Sequence, residues 1–449
     1  MIKTLKKIFN LLDYNYKKKL LIFQLLLLLA AIFEMLGVLS IAPLIQIISN
    51  IDVLNDSSQL ITKIYIYLDI SSYEEFLKII AISIFCIFLI NFLLATCTLY
   101  FAARFAQDAG NFLRAKLFKV LSLQPWIFHS QRETSTYVNK INNECARISQ
   151  SIALPLLQAN ARLLIGIIII IAIFFYNPKV STICFLTFFV FYFVIFKVVK
   201  KKIELDGFAM TQNSASIYKK ILEAFGGIKE TILHKKQEKF YKEFNLKTNR
   251  LAKATISIQF FQSFPKLFLE LIAFSIIILS IIFTSSSGNQ DYFQNSLPIL
   301  GVYIFAGYKL LPIFQGFYFG LLSVKANIAA VDSVYDELKG NDNMEFINEK
   351  TILNKKFNLE NKIEFRKISF SYNDITRPAI NNISLNIHAN SFNSIVGPSG
   401  GGKSTLLDIL LGLLTPNQGE IFIDQVPLSS VIESFQQNIS YVGQNIFLQ

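Results

Sequence analysis

The sequence predicts an α-helical membrane protein with six transmembrane helices, followed by an incomplete α/β domain. Two observations lead to this fold class. Of the 449 residues, 53% are hydrophobic and only 16% are charged, which is too apolar for a soluble globular protein of this length. The apolar residues form long runs up to residue 324, whereas beyond residue 362 they alternate with polar residues.

Six apolar runs are long enough to cross a bilayer, which takes about 20 residues in a helix. They contain at most two charged residues each and lie at 20–48, 79–103, 148–176, 180–196, 256–283 and 293–324. Buried core helices of a soluble protein are the alternative interpretation, but runs of this length exceed what a soluble core uses. We therefore predict six spans.

The positive charge fits a membrane topology better than a nucleic-acid surface. The net charge is +12, and Lys and Arg are concentrated before residue 20 and in residues 104–147 and 197–253, while the loop at 284–296 has none. Basic and less basic loops thus alternate, as the positive-inside rule expects for an even number of spans. We expect both termini to be cytoplasmic, with membrane lipids and no nucleic acid as partners.

The two long basic connections are rich in helix formers, so we expect the transmembrane helices to continue into the cytoplasm as two arms. Each arm contains a local break, at Gln124–Phe128 and at Phe225–Lys229. Two interpretations of these breaks stay open: short cross-helices at the tips of the arms, or ordinary helix turns.

Composition also sets the predicted domain boundaries. We predict a transmembrane domain over residues 1–336, a polar linker over 337–361, and a soluble module over 362–449. The module begins with apolar residues at strand-like spacing. These are Ile363, Phe365, Ile368 and Phe370, then Ile383, Leu385 and Ile387.

The strongest motif is a glycine-rich loop of the pattern GxxxxGK[ST]. It consists of Gly397, Pro398, Ser399, Gly400, Gly401, Gly402, Lys403, Ser404 and Thr405. We predict a strand at Ser394–Val396 before it and a helix at Leu406–Leu414 after it. Glycines let backbone N–H groups curve around phosphate oxygens, and a helix start adds free donors. Lys403 would neutralise the β- and γ-phosphates of a nucleotide, and Ser404 would ligate Mg²⁺.

This region resembles the nucleotide-binding domain of ABC transporters. Tyr372 lies 25 residues before Gly397, where the resemblance implies a ring that stacks on adenine; a tyrosine on a strand surface is the other interpretation. Gln444 lies 41 residues after Lys403, where the resemblance implies contact with Mg²⁺ and the attacking water. The implied catalytic residues are Lys403 and Gln444, the implied metal ligands are Ser404 and Gln444, and the implied cofactors are ATP and Mg²⁺.

The membrane part is similar to one half of a fused ABC exporter, and its segment 34–45 is similar to bacterial flippases for lipid-linked oligosaccharides. The resemblance implies a homodimer, or a pair of half-transporters, in the bacterial inner (plasma) membrane. ATP would drive export or flipping of a lipid-linked glycan or similar amphiphile. Export of peptides, drugs or lipids is an alternative within the family.

The chain stops five residues after Gln444, before the positions of the family's signature loop, Walker B aspartate, catalytic glutamate and switch histidine. We therefore expect a C-terminally truncated chain and predict no ATP turnover by residues 1–449 alone. A membrane-anchored nucleotide-binding fragment that does not transport is the third interpretation.

Ionisable residues inside the spans suggest a second site, because such residues usually face the protein interior. Arg162, Lys266 and Lys309 are candidates to line a cavity for an anionic head group such as a lipid pyrophosphate. Snorkelling, or internal ion pairs such as Lys266 with Glu270, is the competing interpretation. For Glu34, a pair with one of these cations and a helix contact both stay open.

Overall fold

A computed structural model describes residues 7, 14–40, 73–176, 178–286, 308, 310–339, 359–372 and 378–443. These residues form two compact units. The helical unit contains the described residues of 1–119 and 134–339, and the sheet unit contains those of 120–133 and 340–449.

The described residues up to 339 form long helices with short ones between them. They are α1 (Tyr14–Leu39), α2 (Tyr73–Ser122), α3 (Trp126–Ser130), α4 (Thr134–Val138), α5 (Cys145–Ile148), α6 (Leu154–Tyr176), α7 (Pro178–Gly226), α8 (Ile228–Leu233), α9 (Gln237–Ser286), α10 (Leu310–Ala326) and α11 (Ile328–Leu338). Two π-helical stretches, Asn139–Glu144 and Ser149–Ala153, flank α5.

Within the described residues, three helical stretches are long and apolar enough to cross a membrane. They are Tyr16–Gly37, Glu74–Ser122 and Thr134–Ile171, and Leu310–Ala326 is a shorter apolar helix. The predicted fourth and fifth spans lie within α7 and α9. Of the predicted sixth span, the part before residue 308 lies outside the described residues.

The surface of α2 shows why these helices need lipid. Large apolar side chains point outward along it, and Phe85 and Phe92 are 66% and 68% exposed. Keeping such a side chain in water costs about 1.5–3 kcal/mol relative to burial. A helix satisfies its own backbone hydrogen bonds, so a bilayer can cover this surface without an unsatisfied polar group.

Two helices are long enough to form the predicted arms. Helices α7 and α9 contain 49 and 50 residues, which corresponds to about 75 Å each, more than twice the hydrocarbon thickness of about 30 Å. They pack against each other and α10 through a core cluster. That cluster contains Tyr192, Ile203, Leu269, Tyr318 and Leu322.

Short helices are present at both predicted breaks. Helix α3 follows Pro125, whose extended conformation (φ −65°, ψ 157°) interrupts the chain after α2. Helix α8 follows Gly227, which has φ −109° and ψ 38°. A short helix thus follows each break, while the orientation of these helices across the tips of the arms stays a prediction.

The sheet unit contains a four-stranded antiparallel sheet in the order β2-β1-β3-β4. Its elements are β1 (Lys362–Phe370), β2 (Ile380–His388), α12 (Lys403–Leu410), β3 (Gln418–Ile423), β4 (Val426–Pro427) and α13 (Leu428–Gln437). Phe365 and Ile368 of β1, Ile423 of β3 and Ile409 of α12 share one core. The predicted fold class, a helical membrane part followed by a sheet-containing module, is confirmed.

A bulge explains the irregular spacing of apolar residues in β1. Phe365 and Ile368 are three positions apart, which in a regular strand would place them on opposite faces, yet both are buried. The pairing register shifts between them. Lys367 has a φ of 51°, so the extra residue is taken up there and Ile368 returns to the core face.

Two predicted boundaries next to the glycine-rich loop are wrong. Residues 391–398, including the predicted strand Ser394–Val396, form no strand, because a strand needs a hydrogen-bonded neighbour and none lies beside them in the described part of the chain. The following helix ends at Leu410 rather than Leu414. Gly412 has a φ of 69°, and the N–H groups of Leu413 and Leu414 bond to the Asp408 carbonyl, which is a glycine-type helix stop.

Candidate nucleotide-binding site

The glycine-rich loop has a backbone that other residues would not adopt without strain. Gly400 and Gly402 have φ angles of 78° and 81°, in the left-handed region that favours glycine. A Cβ on Gly402 would lie 2.5 Å from the Ala379 carbonyl oxygen, whereas a Cβ on Gly397 or Gly400 would meet nothing within 4 Å. The loop is therefore closely packed on the sheet side at Gly402 and open at Gly397 and Gly400.

The Lys403 side chain is hydrogen-bonded to the backbone of the loop itself. Its Nζ donates hydrogen bonds to the carbonyl oxygens of Gly397, at 3.0 Å, and Pro398, at 2.7 Å. These bonds fix the ammonium group beside the same backbone that would surround a phosphate. A lysine ammonium has three donors, so one more is available for an anion.

The start of α12 adds further donors. The first helical bond after the loop runs from the Leu406 N–H to the Gly402 carbonyl oxygen, so the N–H groups before it point out of the helix end. Ser404 lies in the first turn of α12, at this end. A hydroxyl there can ligate a metal ion that bridges bound phosphates, as predicted for Ser404.

Thr405 and Tyr372 connect the loop to the sheet. Thr405 is buried, and its hydroxyl lies 3.3 Å from the Tyr372 hydroxyl. The Tyr372 ring packs edge-on against Phe370, with 4.9 Å between centroids. The structure thus brings Tyr372 next to the loop, and its stacking on adenine stays a prediction. Gln444 lies outside the described residues, so its role stays a prediction as well.

The sequence analysis did not identify the contact between α3 and α12. The Trp126 indole Nε1 donates a hydrogen bond to Asp408 Oδ2 at 3.1 Å, and Ile127 packs against the core of the sheet unit. Burial raises the pKa of the Asp408 carboxyl, and the hydrogen bond from Trp126 lowers it, with a net rise. Asp408 lies on α12, five positions after Lys403, so α3 contacts the helix that begins at the glycine-rich loop.

The cations predicted to line a head-group cavity have protein partners where they are described. Arg162 Nη1 donates to the Pro312 carbonyl oxygen at 2.6 Å, and Lys266 Nζ lies 3.6 Å from Glu270 Oε1. Lys309 lies outside the described residues. Glu34 accepts a hydrogen bond from the Asn91 amide, which favours the helix contact for this residue. These contacts favour internal pairing for Arg162 and Lys266.

Family models match both parts of the chain. A model described as the ABC transporter transmembrane region matches residues 20–304, and one described as ABC transporter matches residues 380–449. The chain belongs to the ABC transporter family. The match to the second model begins at β2 and includes the glycine-rich loop and Gln444, while Tyr372 lies before it.

Several ABC transporters resemble this chain over most of its length. An uncharacterized ABC transporter ATP-binding protein, YfiB of Bacillus subtilis, is 24% identical over 78% of this chain and 60% of its own length. An ATP-dependent lipid A-core flippase of Wigglesworthia glossinidia brevipalpis is 22% identical over 75% of this chain and 57% of its own length. The chain thus spans about three fifths of the length of these curated relatives.

The fold matches that of a solved ABC exporter. The structure of a bacterial Atm1-family ABC exporter with ATP bound aligns with a TM-score of 0.63 at 15% sequence identity, over 94% of this chain and 71% of that one. This ABC transporter chain therefore has the fold of a fused exporter, with the membrane helices preceding the nucleotide-binding region.

Proposed function

We propose that this chain acts as one half of an ATP-driven exporter that moves a lipid-linked glycan or a similar amphiphile across a bacterial inner membrane, with both termini cytoplasmic. The observation that carries the proposal is that one chain contains both apolar helices long enough to cross a membrane and a glycine-rich loop whose backbone can surround a phosphate. Relatives named ATP-dependent lipid A-core flippase, from Wigglesworthia glossinidia brevipalpis and Ralstonia nicotianae, support an amphiphilic cargo.

The loop residues suit ATP hydrolysis. The open side at Gly397 and Gly400 leaves room for phosphate oxygens, and a charge-assisted bond from Lys403 to phosphate is stronger than its bonds to neutral carbonyls. Ser404 and Gln444 would hold Mg²⁺, which when bound neutralises charge on the phosphates. Gln444 would orient the water that attacks the γ-phosphorus, while the bond to the bridging oxygen breaks and ADP leaves.

The contact between α3 and α12 supports coupling of hydrolysis to transport. One end of α12 carries Lys403, and Asp408 near its other end accepts the hydrogen bond from Trp126. Because α12 is a single rigid helix of 8 residues, a displacement at its phosphate end also moves the carboxylate that α3 contacts. A nucleotide-dependent movement would thus reach the end of the first arm.

The tip of the second arm supports a homodimer. Phe225 and Leu233 are each 70% exposed, and Ile232 is 55% exposed. These residues lie outside the predicted spans, so lipid does not cover them. Exposed apolar side chains grouped in this way mark interaction sites, and a second copy of the chain is the proposed partner.

The test is ATPase activity and flipping by the full-length protein in proteoliposomes. We expect Lys403→Ala to reduce ATP turnover by about 100-fold, the usual cost of one lost charge-stabilising donor. Lys242→Ala is the matched control, because Lys242 forms an exposed pair with Glu238 in the second arm. Equal turnover by the Lys403→Ala variant and the parent would contradict the assigned site.

The cargo is tested in the same vesicles. We expect a lipid-linked oligosaccharide to stimulate turnover and to be flipped, and peptides to do neither. If only peptides or drugs stimulated turnover, the proposed cargo would be wrong, while the assignment of the ATP-hydrolysing site would stand. Turnover by purified residues 1–449 would contradict the prediction that this chain alone is inactive.

A further inference from the structure

The helical unit contains a buried ion pair that the proposed nucleotide and cargo sites do not use. Arg147 Nη1 lies 3.0 Å from Glu144 Oε2, and the two side chains are 13% and 0% exposed. Removing two charges from water costs several kcal/mol per ion, so a buried pair is weak evidence of added stability. The other hydrogen bonds of Arg147 indicate the role of this ion pair.

The remaining donors of Arg147 reach two other helices. Nη1 also donates to Thr211 Oγ1 of α7 at 2.6 Å. Nε donates to Asn327 Oδ1 at 2.9 Å, and Nη2 donates to the Ala326 carbonyl oxygen at 3.4 Å. One guanidinium therefore joins α5, α7 and the junction between α10 and α11.

That junction is a break in the helix that continues the sixth predicted span. Asn327 has φ −117° and ψ 15° and separates α10 from α11. In a continuous helix the Ala330 N–H would bond to the Ala326 carbonyl; here it bonds to the Asn327 carbonyl at 3.1 Å. Arg147 donates to the Ala326 carbonyl oxygen, which the break leaves without its usual helical donor. The guanidinium group thus completes the hydrogen bonding of the backbone at the break.

Both sides of the break pack against α7, and each side also has neighbours of its own. Before it, Ser323 accepts a hydrogen bond from Gln262 of α9 at 3.0 Å, and Lys325 pairs with Glu204 of α7 at 3.0 Å. After it, Glu337 pairs with Lys140 of the first π-helical stretch. A movement of the neighbours of one half relative to those of the other half bends the helix at the junction.

The geometry around Arg147 is irregular on its own side as well. The π-helical stretches Asn139–Glu144 and Ser149–Ala153 lie on either side of α5, and π turns occur often at functional positions in helices. Gly207 of α7 allows the close approach, because a Cβ there would lie 1.9 Å from the Ala326 carbonyl oxygen. The irregular backbones of two helices thus meet at one arginine.

We infer that Arg147 is a positioning residue that holds the bend at Asn327, and that this junction is the hinge through which the sixth span changes its angle during transport. The inference rests on the proposed function for its role in transport, whereas the role of Arg147 in holding the bend can be tested by a distance measurement alone. A lysine cannot replace Arg147 here, since its single point of donation does not match four separated acceptors.

The test measures the bend in the nucleotide-free full-length protein. One spin label is placed at Leu205 on α7 and the other at Lys339 just after α11, and both residues are exposed. Glu337 is left unchanged, so that its pair with Lys140 is kept. The native cysteines are replaced, and labelled chain is diluted with unlabelled chain. We expect the Leu205–Lys339 distance distribution of the Arg147→Lys variant to broaden or shift by about 5 Å, one helical turn. Arg104→Gln is the control, because it removes an arginine from an exposed pair with Asp108.

A second variant separates positioning from stability. The double change Arg147→Met with Glu144→Leu removes both buried charges at similar volume, and replacing a buried ion pair by hydrophobic residues often leaves stability unchanged or higher. We expect this variant to keep the unfolding temperature of the parent and still to show the altered distances. A parental distance distribution in the folded double variant would overturn the inference.

Transport is then compared in the same variants. If the proposed function is correct, we expect the double variant to keep basal ATP turnover and to lose at least about tenfold in flipping per ATP hydrolysed, since the hinge acts on the span and not on the phosphate site. Because the distance measurement needs neither ATP nor cargo, a failure of the proposed exporter activity leaves the hinge test unaffected. Altered distances with unchanged flipping would overturn the role of the hinge in transport.

Discussion

At the scale of single residues, the glycine-rich loop shows two different reasons for glycine. Gly400 has φ 78° but open space where a Cβ would lie, whereas Gly402 has φ 81° and the Ala379 carbonyl oxygen 2.5 Å from its Cβ position. Gly400 is thus required by backbone conformation alone, and Gly402 by conformation and space together. The difference allows the two effects to be measured separately.

We predict that Gly400→Ala lowers the free energy of unfolding of the sheet unit by about 1–2 kcal/mol, the usual cost of a left-handed non-glycine residue. Gly402→Ala should cost more, because the Ala379 backbone must also move. Thermal unfolding followed by the emission of Trp126, the single tryptophan of the chain, measures both. Gly397→Ala is the control, and equal stability of all three variants would contradict the prediction.

At the scale of elements, the contact between α3 and α12 was accessible to sequence reasoning only in part. The Pro125 break predicts the position of α3, but Asp408 has no motif that marks it as the partner of Trp126. The pair is nevertheless useful experimentally, because the indole reports on the ionisation of the carboxyl to which it donates. The pKa of Asp408 is raised by burial and lowered by the Trp126 hydrogen bond, with a net rise.

We predict that Trp126 emission titrates with a midpoint above about 3.9, the ordinary pKa of an aspartic acid. Because the folded pKa is raised, the folded state binds the proton more tightly than the unfolded state. The free energy of unfolding from this group therefore rises as the pH falls through the folded pKa and levels off below the unfolded value. Asp408→Asn should abolish the emission titration, and a midpoint at or below the ordinary value would contradict the prediction.

At the scale of the whole molecule, two of the surfaces on which the described residues expose apolar side chains have different expected environments. Along α2 they lie within a predicted span and suit lipid, whereas Phe225, Ile232 and Leu233 lie at the predicted tip of the second arm, outside the predicted spans. The arm tip therefore needs protein to cover it, and the proposed dimer provides this protein.

We predict that Leu233→Glu weakens self-association of the full-length protein by at least about tenfold, since burial of a leucine contributes about 1.5–3 kcal/mol. Mass photometry over a dilution series measures the dimer fraction. Tyr241→Glu is the matched control, because Tyr241 is also exposed on the same arm but lies on α9. Equal dimer fractions for the Leu233→Glu variant and the parent would exclude the tip as a dimer contact.

The sequence by itself determined the features that depend on neighbouring residues. Bilayer crossing requires length and apolarity, and both are read directly from residues such as 79–103. The glycine-rich loop is contiguous, so its backbone donors and Lys403 come together without distant contacts. For the same reason the sequence predicted the strand β1, whereas the bulge between Phe365 and Ile368 became visible only in the pairing of the strands.

The tertiary structure decided everything that depends on contacts between distant residues. The predicted strand at Ser394–Val396 failed because strands exist through their neighbours, and the pairing of Trp126 with Asp408 joins positions 282 residues apart. Likewise, Arg147 and Asn327 are ordinary polar residues in sequence, 180 positions apart, and become a hydrogen-bonded pair when their helices pack. Local patterns specify which elements form, while packing specifies which side chains meet.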